Sequence, residues 1–159
     1  MPVIHDIPVK FRDMPYTYDY PRPCVSVDTI VFRMRGDDRE VLLIRRLNPP
    51  FKDMWAFPGG FLEMDETLEE CGYRELQEET GLTGVKLTQL FAFGDVHRDP
   101  RTRIITVAYV GIVDFKDSEV RGGDDAGEAR WHPVNNVPPL AFDHDKMLAM
   151  ALQKPGKSV

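Results

Sequence analysis

Between Gly59 and Leu82 the chain reads GGFLEMDETLEECGYRELQEETGL, a loop feeding a short, strongly acidic helix with both ends marked. Thr67 followed three residues later by Glu70 forms a capping box and predicts a helix start near Leu68. Gly81 supplies the left-handed stop that ends it. At about 100° per residue, Glu75, Glu78 and Glu79 fall within an arc of roughly 100°. Leu68, Gly72 and Leu76 make an adjoining apolar stripe, so the acids stand at the margin of the buried face. Carboxylates placed in this way repel by about 0.2–0.5 kcal/mol per pair, and along the helix Arg74 alone is near enough to offset them. A hard divalent cation would turn that repulsion into coordination, because Mg2+ takes a few carboxylates together with water and substrate phosphate oxygens.

Three clustered glutamates are, by themselves, more often a solvated helix face than a site. The complete pattern demands more: Gly60, five residues, Glu66, seven residues, then Arg74, Glu75, Leu76, any residue, Glu78, Glu79, any residue, Gly81 and Leu82. Average residue usage would produce it on the order of once in a billion windows. Gly60 to Leu82 resembles the Nudix box without a departure. That resemblance covers 23 of the 159 residues. It implies an α/β/α sandwich with a mixed central sheet flanked by helices, and hydrolysis of a nucleoside diphosphate linked to another moiety with Mg2+ or Mn2+. Carried over residue by residue, it implies Glu75, Glu78, Glu79 and the Gly59 carbonyl as metal ligands. Arg74 would orient the glutamates and Glu66 would brace the loop.

The length suits one domain with a substantial core. The sequence divides into an extended N-terminal arm over 1–22, rich in proline and aromatics, and a hydrolase domain over 23–159. The arm either packs on its own domain or serves a homodimer or a partner's nucleobase, since tyrosine is favoured in interfaces. With 20 Lys+Arg against 26 Asp+Glu the net charge is -6, the opposite of a nucleic-acid footprint. No apolar run approaches the ~18 residues a membrane span needs, and no signal pattern opens the chain. Cys24 and Cys71 lie far apart without metal-type spacing and read as buried or half-buried thiols of a cytoplasmic protein.

Strand signals place Cys24 to Arg33 and Glu40 to Arg46 as a hairpin, one or two strands within Val85 to Val96, a long central strand over Arg103 to Phe115, and a last strand over Ala129 to Val134. Arg45 or Arg46, ending the second strand, is either a phosphate ligand or a surface cation. Arg98, Arg101 and Arg103 crowd a proline turn between two strands, a setting suited to bidentate recognition of phosphate. The stretch is similar to the R-D-P-R loop of a Nudix branch that holds ADP-ribose pyrophosphatases and ligand-sensing regulators. The acidic loop Gly122 to Glu128 offers Asp124, Asp125 or Glu128 as a late acid, and the general base is either Glu79 or one of these three. A helix over Phe142 to Leu152 closes one face, with Asp143 as N-cap and His144 as a surface or capping residue.

The expected reaction is cleavage of ADP-ribose to AMP and ribose 5-phosphate, with a small-molecule nucleotide as partner and neither nucleic acid nor membrane. The alternatives are another nucleotide (an oxidised triphosphate, a dinucleoside polyphosphate, NADH or a sugar nucleotide) or a domain that senses ADP-ribose without splitting it. The intact set of box acids weighs against the sensor, because an inert pocket has no need of their mutual repulsion.

Overall fold

The computed structural model describes residues 17–123 and 126–153. Most of the expected arm, together with Asp124 and Asp125, lies outside them. The ordered elements are strands β1 (Cys24–Arg35), β2 (Asp38–Arg46), β3 (Trp55–Ala56) and β4 (Gly59–Phe61), helix α1 (Leu68–Thr80), strands β5 (Thr88–Phe93), β6 (Ile104–Ile112) and β7 (Ala126–Pro133), and helix α2 (His144–Gln153).

One seven-stranded sheet carries them, in the order β3-β2-β1-β6-β5, with β4 added to β1 and β7 to β2. β1 and β6 run parallel from Cys24 opposite Ile104 to Phe32 opposite Ile112, and the other pairs are antiparallel, so the sheet is mixed. β1 is buried without a break from Val27 to Phe32, the mark of a strand covered on both faces. Its period of two sorts the side chains: Val27 and Val31 join the cluster under α1 with Leu76, while Ile30 and Phe32 join the cluster under α2 with Met147 and Leu148. Flanking helices on a mixed sheet make the α/β architecture that the box implied.

The same alternation positions polar side chains. Ser26 and Asp28 share the α2 side of β1 with Ile30, and Ser26 stands opposite Thr106 of β6 with their hydroxyl oxygens 2.6 Å apart. The expected acidic loop is shorter than its sequence suggested: β7 begins at Ala126, which puts Glu128 within a strand, opposite Arg45. Cys24 is exposed, against the expectation of a buried or half-buried thiol, because it opens β1 ahead of the covered run. Cys71 is buried in the α1 cluster, and burial pushes its thiol up to about 12. No helix among the described residues is long and apolar enough to cross a membrane.

Candidate active site at the end of the central sheet

The capping box forms as read. The Thr67 hydroxyl accepts from the Glu70 N–H at 3.2 Å, and the Glu70 carboxylate accepts from the Thr67 N–H at 2.7 Å. Gly81 closes the helix at φ 72°. These two ends fix the rotation of α1, so Leu76 enters the core and Glu79 is buried while Glu78 stays at the rim.

Arg74 is the hub of the acidic face. Its Nε and Nη2 donate to both oxygens of Glu66 at 2.9 and 2.7 Å, and its Nη1 donates to Glu75 at 2.7 Å and Glu78 at 3.2 Å. Nη2 also reaches the Phe61 carbonyl at 3.2 Å, which ties α1 to β4. Glu66 in turn accepts from the Glu63 N–H at 2.9 Å. The paired guanidinium holds the Glu66 carboxyl down at about 2. A depressed carboxyl contributes stability that is whole above its unfolded pKa of about 4.5 and disappears as pH falls from there toward about 2. The melting-temperature gap between wild type and Glu66→Gln should therefore be widest near neutral pH and shrink between pH 5 and pH 3.

Glu79 meets the opposite environment. Burial pushes its carboxyl up to about 8, the neighbouring charges of Glu75 and Asp28 add to the rise, and a 2.9 Å bond from the Gly59 N–H works against it. Register explains that bond. The Thr29 N–H pairs with the Pro58 carbonyl and the Leu62 N–H with the Val25 carbonyl, so Gly59, opposite Asp28, occupies a non-hydrogen-bonded position. Its N–H and carbonyl therefore turn away from β1. Neither box glycine has room for a side chain: a Cβ on Gly60 would overlap Glu75 Oε1, and one on Gly59 would overlap Asp28 Oδ1 and the Val27 carbonyl. Gly59→Ala should thus force β4 away from β1, costing about 1–3 kcal/mol of stability and at least tenfold in turnover. Thermal melting and initial rates on the same preparation would check both.

A cavity of about 440 Å³ opens here, bounded by Glu75 and Glu79 on the acidic side and by Arg46 and Arg101 among its cations. Such a volume suits a nucleotide-sized ligand. Arg101 is presented by Asp99, a buried carboxylate that accepts from its Nε at 3.0 Å and its Nη2 at 2.8 Å. Arg46 donates to the Pro50 carbonyl at 3.0 Å and the Asn48 carbonyl at 3.3 Å. Arg98 also borders the cavity, but its side chain is 3% exposed and grips Asp143 through two bonds of 3.0 and 2.6 Å, with a further bond to Thr106. Asp143, expected as an N-cap, gives its carboxylate to that pair.

The remaining sequence candidates stand apart from the cavity lining. Arg45 pairs with Asp53 at 3.3 Å, Arg103 donates to the Asp95 carbonyl at 3.1 Å, and Glu128 pairs with Arg130. Three residues that the sequence reading passed over line it instead: Asp28, Phe142 and His144. His144 is 3% exposed, not on the surface. Its Nδ1 accepts from the Phe57 N–H at 3.0 Å, which leaves the ring proton on Nε2, 3.2 Å from Asp28 Oδ2. One signal for Asp28 was available: an aspartate interrupting the alternating run CVSVDTIVFR at an inward position.

Among the described residues no three acidic, histidine or cysteine side chains converge as a ready metal cage, since Arg74 draws Glu75 and Glu78 to itself. The donors are nevertheless of the kind a hard cation takes: carboxylate oxygens beside glycine backbone, with Glu79 pushed up first by burial and then by the charges of Glu75 and Asp28.

The NUDIX domain family matches residues 23–151. The chain is 42% identical over 140 residues to the ADP-ribose pyrophosphatase of Methanocaldococcus jannaschii, spanning 88% of this chain and 79% of that protein. It is 35% identical over 142 residues to the ADPR responsive transcriptional repressor NtrR of Acinetobacter baylyi, spanning 86% of this chain and 56% of the repressor. The NUDIX domain of Shewanella oneidensis NrtR complexed with ADP ribose superposes with a TM-score of 0.79 at 30% identity, over 84% of this chain and 89% of that one. The chain belongs to the Nudix family and is a pyrophosphohydrolase of that family.

Proposed function

We propose that the protein hydrolyses ADP-ribose to AMP and ribose 5-phosphate, with Mg2+ or Mn2+ held by Glu75, Glu78, Glu79 and the Gly59 carbonyl. The observation that carries this reading is that one cavity is lined both by Glu75 and Glu79 and by Arg46 and Arg101. When bound, the cation would neutralise diphosphate charge and lower the pKa of a water. The chain's own residues do the rest. Arg46 and Arg101 hold the diphosphate through charge-assisted contacts made equally to the substrate and to the transition state. Glu79 takes the proton of the attacking water, its Oε2 fixed by the Gly59 N–H and its Oε1 without a protein hydrogen bond among the described residues. Glu128 stands outside the cavity, which favours Glu79 over it as the base. Arg74 and Glu66 keep α1 and the preceding loop in register, and the likeness to the archaeal pyrophosphatase supports the substrate.

The test is a substrate panel with Mg2+ and mass-spectrometric identification of products: ADP-ribose, NADH, a dinucleoside polyphosphate, a sugar nucleotide and an oxidised triphosphate. ADP-ribose should be turned over with the highest kcat/KM, and a clear preference for triphosphates would remove it. A second reading, binding of ADP-ribose without cleavage, draws on the likeness to the ADPR responsive repressor.

A further inference from the structure

Phe142 sits where two cations meet. The Arg46 guanidinium carbon lies 4.9 Å from the centre of its ring and that of Arg101 5.5 Å, and all three residues line the cavity. Each cation is also held elsewhere, Arg46 by the Pro50 and Asn48 carbonyls and Arg101 by Asp99 and by the Phe61 ring, whose centre is 5.2 Å from its guanidinium carbon. Burial and the like charge of Arg101 both lower the pKa of Arg46, a sign of how closely the two are set. Two guanidiniums sharing a wall repel, and an aromatic ring offers each of them an electron-rich surface.

Backbone strain accompanies that ring. Phe142 has φ 53° and Phe51 φ 59°, in the left-handed region that bulky side chains avoid. The two rings pack edge to face with centres 4.7 Å apart, and the His144 ring lies 5.6 Å from that of Phe142. Strain of this kind persists only where the surroundings over-determine it, and it gathers at ligand sites.

We propose that Phe142 is a positioning residue whose ring holds Arg46 and Arg101 side by side as one clamp for the two phosphates of a diphosphate. The inference rests on reading the cavity as a diphosphate site, but not on the ribose or the base attached. Removing the ring should leave each guanidinium only its other tethers, loosen the pair and weaken diphosphate binding, while Glu75 and Glu79 are left in place.

Calorimetric binding of inorganic pyrophosphate and of ADP-ribose to wild type, Phe142→Leu and Phe142→Tyr, with Mg2+ present and Glu79→Gln carried by all three so that the nucleotide survives the titration, tests this directly. Phe142→Leu should weaken both ligands by about tenfold, from the loss of two partly desolvated cation–ring contacts, and Phe142→Tyr should recover most of the affinity. On the nucleotide that the wild type turns over best, Phe142→Leu should raise KM about tenfold and change kcat by less than about threefold. A merely structural role would instead move melting temperature and kcat together. Wild-type affinity in Phe142→Leu, equal losses in the two variants, or a wild type that does not bind pyrophosphate would each overturn the clamp. Binding of pyrophosphate by a wild type that ignores ADP-ribose would sink the substrate reading alone, and Phe142 would then be judged on pyrophosphate.

Discussion

Glu79→Gln should cut kcat by a factor of about 100 to 10,000, the range that loss of a positioned acid or base commonly costs. The amide keeps the size of the side chain and can still accept the 2.9 Å bond from the Gly59 N–H, so α1 and β4 should remain in contact. What disappears is the carboxyl that can give up and take back a proton, in a buried setting where burial, with the charges of Glu75 and Asp28, pushes it up to about 8. The variant should therefore fold, bind nucleotide and turn over very slowly. Initial rates with Mg2+ measure this, and near-full activity would remove Glu79 from the chemistry.

The second large effect falls on stability. Arg98→Ala should destabilise the protein by about 3–5 kcal/mol, since breaking a buried ion pair strands the remaining charge. For a chain of this size that is a fall in melting temperature of about 6–20 °C. Asp143 is the stranded partner, with its side chain 9% exposed. Removing both members should recover part of the loss, as a double-mutant cycle would show. The contrast with Arg101 is the informative part. Its side chain is 41% exposed and one partner, Asp99, presents it to the cavity, so Arg101→Ala should raise KM severalfold while shifting the melting temperature by only a few degrees. Two arginines three residues apart thus divide the labour: one clamps the loop to α2, and the other faces the ligand.

Local signals were the ones legible in the sequence. The ends of α1 depend on residues three or four apart, Thr67 with Glu70 and Gln77 with Gly81, and they lie where the capping rules place them. The five longer strands were recognisable from their alternation, with ends displaced by up to three residues, as at Arg35 and Ile112, whereas the short β3 and β4 lie in stretches that read as loop. The parallel pairing of β1 with β6 was not recognisable, because it joins positions 80 residues apart and nothing in either strand names the other. The contacts that complete the site are of the same kind. Asp28 meets His144 across 116 positions, and Arg98 finds Asp143 across 45. A lone histidine at a helix start shows no partner until β1 and α2 are brought to the same face of the sheet, which is why His144 read as a surface residue. The arginine run around Pro100 could be identified as a phosphate-binding candidate. Which of its members would be absorbed by a buried carboxylate depended on where α2 begins.

Acids and guanidiniums lining one cavity make one demand above the others, that water be added across a diphosphate. Incubating ADP-ribose with the protein and Mg2+ in water enriched in oxygen-18, then weighing the products, tests it most directly. The expected products are AMP and ribose 5-phosphate, with one labelled oxygen in one of the two and none in the other. Tight binding of ADP-ribose that comes back whole and unlabelled after long incubation would contradict it and leave a domain that senses the nucleotide without splitting it.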